Sequence, residues 1–340
     1  MTVPGGASPP AVTADRMRVA ELSGEQAVRI ARSRLTIDQV LTAKAFENAM
    51  RVLLAIGGST NGIVHLTAMA ARMGFEMDLD ALDRMGQGTP VLLDLKPSGQ
   101  HYMEDFHAAG GMATLLRELK PLLHLDAITV NGCTLGEQID AAGPGFEQDV
   151  VRPRSNPIYA QGGLAVLRGN LAPGGAIVKA SAATAALMEH EGRAVVFEDA
   201  ADLAARIDDP SLDVNADDIL VLKRIGPKGA PGMPEAGALP IPLKLARAGV
   251  KDMVRISDAR MSGTAFGTVV LHVTPEAAVG GPLAWVRSGD RIVLSVARRE
   301  LTLQVSEAEM AARRAAQPLQ PPAAERGYRK LFLQHVTQDR

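Results

Sequence analysis

A single cysteine, Cys133, stands in a chain of 340 residues, so no internal disulfide can form; a lone thiol fits a reducing, cytoplasmic setting. Aromatic residues make up 3% of the chain, too few for the stacking platforms that single-stranded nucleic acids use. Charge of neither sign is in excess: 36 Lys and Arg against 38 Asp and Glu give a formal net charge of −2, no footprint for a polyanion. No apolar run approaches the roughly 18 residues of a membrane-spanning helix, and the opening MTVPGGASPPAV lacks the basic and apolar regions of a leader. These absences argue against nucleic-acid and membrane partners. What is present, 46% hydrophobic and 22% charged residues, describes an ordinary globular chain long enough for two domains.

Residues 1–12 are small and rich in Pro and Gly, and are expected to be disordered. From Thr13 onward Val19, Leu22, Ala27 and Ile30 are spaced for one helical face, and a second helix is predicted over Thr36–Ile56, stopped by Gly57-Gly58. A further helix, GIVHLTAMAARMG, contains His65, read as a packed histidine, and the segment VLLDLKP (91–97) reads as a buried strand. The stretch around Thr13–Ile56 and the helix after Asn61 are expected to present an apolar surface. The prolines and polar residues of Arg152–Pro157 mark a boundary, which gives domains 1–153 and 154–340. Beyond it, eight short apolar runs (163–169, 176–180, 193–199, 219–225, 253–257, 268–273, 291–296 and 301–305) predict a barrel-like β domain. The last segment, GYRKLFLQHVT, is amphipathic and is expected to dock back onto the body or onto a second subunit.

Four stretches carry chemistry. Ser257-Asp258-Ala259-Arg260-Met261-Ser262-Gly263-Thr264 lies between two predicted strands and reads alone as a polar turn or as a binding loop. Gly57-Gly58-Ser59-Thr60-Asn61 precedes a helix, where Ser59 or Thr60 either caps the helix or exposes N–H groups to an anion. The loop GPKGAPGMPE (226–235) reads alone as a tight turn, and it lacks the residue order of a phosphate-binding loop. Lys96, Ser98, His101, Glu104, Asp105 and His107 form the densest polar group, but the spacing of His101, Asp105 and His107 does not set three ligands on one helical face.

DARMSGTAFG, followed by HVTPEAAVGGPLAWVRSGDRI, resembles the C-terminal signature of the dihydroxy-acid dehydratase and phosphogluconate dehydratase family. The wording SDARMSGTAFGTVVLHV resembles most the sugar-acid (aldonate, arabinonate- or xylonate-type) branch. GGSTN, KPSG with MEDF, VNGCTLGE, GGLAVLRGNLAPGGAIVK and GPKGAPGMPE each resemble a motif of the same family. The resemblance implies an α/β class: the C-terminal part of an α/β N-terminal domain, then a β-barrel domain similar to the swivelling domain of aconitase, closed by a returning C-terminal helix.

The resemblance also implies dehydration of a 2,3-dihydroxy (aldonic) acid to a 2-keto-3-deoxy acid, in carbohydrate catabolism or amino-acid biosynthesis. Ser262 is implied as the catalytic base and Glu235 as a ligand of Mg2+. Ser59, Thr60, Asn61 and Thr264 are implied as substrate contacts. An iron–sulfur cluster of the 2Fe–2S or 4Fe–4S type is implied as second cofactor, yet its cysteines belong to an earlier part of the family that this chain does not match, and Cys133 occupies a variable position. The expectation is therefore a chain inactive alone, working as a homo-oligomer or with a missing N-terminal half. The alternative is a non-catalytic remnant or sugar-acid-binding module.

Overall fold

The computed structural model describes residues 2–231, 239–261 and 266–336. They divide into two compact units, Met1–Gly58 with Gly62–Gly163, and Ser59–Asn61 with Leu164–Arg340.

The first unit is helical. The helix expected from Thr13 is α1, Ala14–Arg32, and none of its residues is buried; Met17, Leu22 and Val28 are exposed. The single helix expected over Thr36–Ile56 is two, α2 (Ile37–Val40) and α3 (Ala43–Ala55). The break falls at Thr42, whose hydroxyl accepts from the Ala45 N–H at 3.3 Å and starts a new helix. Next comes α4, Asn61–Arg72; Gly74 follows it with φ 80°, a backbone that glycine adopts freely. On α4 His65 is exposed, contrary to the packed position expected of it.

The unit is completed by α5 (Leu79–Gln87), α6 (Met103–Ala108), α7 (Gly111–Leu119) and α8 (Leu135–Ala141). Their core gathers Leu92, Leu93, Phe106, Leu115, Leu119 and Ile139. Residues 91–95 are buried for the most part but form isolated bridges to Tyr159, Val151 and His101 instead of the strand ladder expected of them. An open, mainly apolar hollow of about 460 Å³ is lined by Val40, Phe46, Val52, Leu53, Leu66 and Met69, among others.

In the second unit all eight apolar runs are strands. They are β1 (Ala165–Leu167), β2 (Gly175–Val178), β3 (Glu189–Phe197), β4 (Ile219–Leu222), β5 (Arg255–Ser257), β6 (Val269–Thr274), β7 (Arg291–Ser295) and β8 (Glu300–Leu303). One sheet orders them β1-β2-β6-β5-β4-β3-β7-β8, with β3, β4, β5 and β6 parallel. Its ends approach each other: Arg168, just past β1, bridges Glu300 of β8, and Leu301 N–H donates to the Arg168 carbonyl at 2.7 Å. The sheet thus rolls into a nearly closed barrel, the mixed α/β organisation with a barrel-like second part that the sequence predicts.

Both faces are covered. Along β3, Ala194 and Val196 face one core and Val195 and Phe197 another, the two-residue alternation of a strand. Among the described residues four α-helices accompany the sheet: α9 (Ala200–Arg206), α10 (Leu243–Arg247), α11 (Glu307–Ala316) and α12 (Gly327–His335). On α11 the Arg313 guanidinium reaches both Asp290 oxygens, at 2.6 and 2.9 Å. The terminal α12 buries no residue, and Lys228 Nζ donates to its Leu333 carbonyl at 2.6 Å. No helix among the described residues is long and apolar enough to cross a membrane.

Candidate functional site

The carboxyl ends of β4 and β5 define the place to look. These strands are parallel neighbours, with Leu222 in register with Ser257, so the loops that follow leave from one edge of the sheet. Loops held at one edge of a rigid scaffold are where binding residues concentrate. The loop after β4 leads to Glu235 and the loop after β5 leads to Ser262. Ser262 and Thr264, like Glu235, lie outside the described residues.

Two buried carboxylates hold the stems of these loops. Asp258 is 1% exposed and accepts from the backbone N–H groups of Ile225 (3.0 Å), Arg224 (3.2 Å) and Ala277 (2.9 Å). Glu276 is 2% exposed and accepts from the N–H groups of Lys228 (2.7 Å) and Gly229 (2.8 Å). Ionised acceptors make the stronger backbone hydrogen bonds, so together the pair fixes the 224–229 turn against the start of the serine loop. Burial pushes the Asp258 carboxyl up to about 6 despite those donors, and Glu276 pushes the same way. Gly226 is required here, because a Cβ would lie 2.5 Å from the Glu276 Oε2.

The GGSTN residues Ser59–Asn61 belong to this second unit. Ser59 Oγ accepts from the Asn61 N–H at 3.2 Å, a local turn contact at the start of α4. Asn61 Nδ2 donates to the Met261 carbonyl at 3.1 Å, one residue before Ser262. Thr60, 4% exposed, sets its hydroxyl 3.0 Å from His272 Nε2. The structure therefore brings Thr60 and Asn61 to the stem of the serine loop.

His272, which the sequence reading did not single out, meets Thr60 at this candidate site. It sits in β6, where Ile177 faces Leu271 but Gly175 faces Thr274, so Ala176 opposes both His272 and Val273. Such a bulge re-aims a side chain. Its φ of 56° is left-handed, a backbone that costs a non-glycine residue about 1–3 kcal/mol. Burial, with the Arg260 charge adding to it, holds the imidazole down to about 4, hence neutral at neutral pH. Arg224, with φ 61°, is a second left-handed non-glycine residue at this edge. The one legible signal for His272 was a polar residue inside the otherwise apolar run TVVLHV.

The metal chemistry fits less well. Among the described residues no three His, Cys, Asp or Glu side chains converge as a metal group. His107 instead meets Ser8 and Asp15, and His101 lies 4.0 Å from Asp94 and from Asp105. Cys133 is half-buried with its sulfur 3.5 Å from the Thr129 hydroxyl. A single thiol does not fit an iron–sulfur cluster, which several thiolates hold.

The second unit is a barrel-like domain with polar loops at the ends of neighbouring parallel strands. Residues 149–340 match the dihydroxy-acid/6-phosphogluconate dehydratase C-terminal family and residues 1–138 the corresponding N-terminal family. The chain belongs to the dihydroxy-acid/6-phosphogluconate dehydratase family, whose members are dehydratases. It is 47% identical to the L-arabonate dehydratase of Azospirillum brasilense, over 99% of this chain and 59% of that protein. Identity is also 47% to the L-arabinonate dehydratase of Rhizobium leguminosarum bv. trifolii, over 99% of this chain and 58% of the relative. The 6-deoxy-6-sulfo-D-gluconate dehydratase of Pseudomonas putida matches at 47% over the same shares, 99% and 58%. The chain thus spans about three-fifths of the length of these relatives.

Proposed function

We propose that this chain is the substrate-and-base portion of a sugar-acid dehydratase, taking a 2,3-dihydroxy (aldonic) acid to a 2-keto-3-deoxy acid. In this reading Ser262 removes the C2 proton, Ser59, Thr60, Asn61 and Thr264 contact the polyhydroxy acid, and Glu235 contributes to magnesium binding. The observation that carries the reading is the convergence at one sheet edge: Asn61 on the Met261 carbonyl, and the 224–229 turn on Asp258, the two motif loops leaving from neighbouring strand ends. Three relatives named for sugar-acid substrates favour the aldonate branch over branched dihydroxy acids.

The division at residue 153 into a partial α/β dehydratase domain and a barrel domain, and a cytoplasmic setting, are parts of the same proposal. So is association, as a homo-oligomer or with a separately supplied N-terminal half. The open apolar hollow of the first unit and the exposed Met17, Leu22 and Val28 suit such a partner. No step is assigned to iron, because one cysteine does not hold a cluster. That same count favours a second reading, a sugar-acid-binding module without turnover. Titration of the chain with L-arabinonate, and assay for 2-keto acid with and without the complementary family segment, separates the two. Binding without turnover in both assays favours the module, and no binding by either preparation ends the sugar-acid reading.

A further inference from the structure

We propose that His272 is a positioning residue of this site: its neutral ring, carrying its proton on Nε2, donates to Thr60 Oγ1 and so leaves the Thr60 hydroxyl hydrogen free for a bound hydroxy acid. Four observations converge on it. The residue is buried in a strand interior, yet it adopts a left-handed backbone at φ 56°. A one-residue bulge against Gly175–Ile177 turns it off the regular alternation of β6. Nε2 lies 3.0 Å from the Thr60 hydroxyl, in the GGSTN motif 212 residues away in sequence. Nδ1 is buried with no hydrogen-bond partner among the described residues.

The last two decide the tautomer. If Nε2 accepted from Thr60, the ring proton would sit on Nδ1 as a buried donor with nothing to receive it. With the proton on Nε2, the donor is satisfied and only a lone pair is left bare, a smaller loss than an orphaned N–H. The Thr60 oxygen then acts as an acceptor toward the ring, and its own O–H points elsewhere. His272 N–H donates to the Ala259 carbonyl at 3.1 Å and Asn61 holds the Met261 carbonyl, so ring, threonine and serine-loop stem form one connected set.

The test uses the full chain with 15N-labelled histidine. Long-range 1H–15N spectra between pH 8 and 5 are expected to show His272 as a non-titrating Nε2–H tautomer; a Nδ1–H tautomer, or titration near the ordinary histidine value, overturns the proposal. Amide exchange at residues 59–62 gives a second readout. His272→Gln places an amide nitrogen near the Nε2 position, whereas His272→Asn suits the left-handed backbone but stops short of Thr60. Exchange is expected to stay within about twofold of wild type for His272→Gln and to quicken at least about tenfold for His272→Asn. Equal exchange in the two variants contradicts a positioning role.

The clause on the ligand rests on the sugar-acid reading and has its own arm, titration with L-arabinonate. His272→Asn and Thr60→Val are expected to weaken binding at least about fivefold and His272→Gln to leave it near wild type. No binding by the wild-type chain rules out the Thr60 hydroxyl as a contact for this acid, while tautomer and exchange still decide the role of the ring.

Discussion

Thr60 Oγ1 and His272 Nε2, separated by 212 residues in sequence, lie 3.0 Å apart in the interior of the second unit. The contact ties a Gly-Gly-Ser-Thr-Asn turn to a bulged strand. Thr60→Val keeps the side-chain shape and removes the oxygen, leaving a buried ring N–H without its acceptor. The expected loss is about 1–3 kcal/mol in urea unfolding. A change below about 0.5 kcal/mol, the usual range of neutral surface substitutions, would show that the contact contributes nothing.

Asp258 and His272 give the fold opposing pH dependences. The Asp258 carboxyl rises from 3.8 to about 6 on folding, so its contribution is full below pH 3.8 and is lost as pH climbs through about 6. His272 falls from 6.5 to about 4, so its contribution is full above pH 6.5 and is lost as pH drops through about 4. Each is worth about 3 kcal/mol over its window, at roughly 1.4 kcal/mol per pH unit. Relative to wild type, His272→Asn is expected to gain thermal stability as pH falls from 6.5 to 4, and Asp258→Asn as pH rises over the same interval. Melting curves that shift in parallel for both variants would remove the assignment.

The 224–229 turn is expected to depend on Gly226. An alanine Cβ there would meet the Glu276 carboxylate, which holds the Lys228 and Gly229 N–H groups. Gly226→Ala is expected to cost about 1–3 kcal/mol and to open the turn to limited proteolysis. Unchanged proteolysis would mean that Glu276 does not hold the loop.

These features divide sharply in how far the sequence announced them. All eight strands were legible, because short apolar runs bounded by Gly, Pro or Asp are what a covered sheet takes. Ile219–Leu222 is fully buried, its side chains alternating between the two cores that cover the sheet. Their order was not legible, since β3 between β4 and β7 is set by pairings between distant segments that leave no local mark. The helix break at Thr42 was missed because its flanks are as helical as an uninterrupted run; only the hydroxyl cap tells them apart. His65 sits in an apolar sequence but on the outer face of α4, so composition misled where rotation decided. At the candidate site, Thr60 and Asn61 stood out in the sequence through their motif, and the structure places them against His272 and the Met261 carbonyl. His272 did not stand out, because alternation cannot reveal a bulge that depends on the partner strand.

Away from the site, Arg313 and Asp290 form an ion pair in which both side chains are 9% exposed. Arg313 also donates to the Trp285 carbonyl at 3.0 Å, which fastens α11 to the barrel. Asp290→Ala leaves a buried guanidinium short of its main acceptor and is expected to cost about 3–5 kcal/mol in denaturant unfolding. The double replacement Asp290→Leu with Arg313→Met is expected to recover most of that loss. A double variant as unstable as the single one would show that the pair is needed for more than mutual neutralisation.

The most direct measurement is 2-keto acid formation from L-arabinonate under anaerobic conditions, with iron, sulfide and magnesium supplied, beside a count of bound iron. The chain alone is expected to bind no stoichiometric iron and to turn over no faster than its Ser262→Ala variant, because one cysteine cannot hold a cluster. With the complementary N-terminal family segment added, 2-keto acid is expected to form in the wild type and to disappear in Ser262→Ala. Turnover by the chain alone above the Ser262→Ala control would contradict the account, as would activity of the reconstituted pair that survives loss of Ser262.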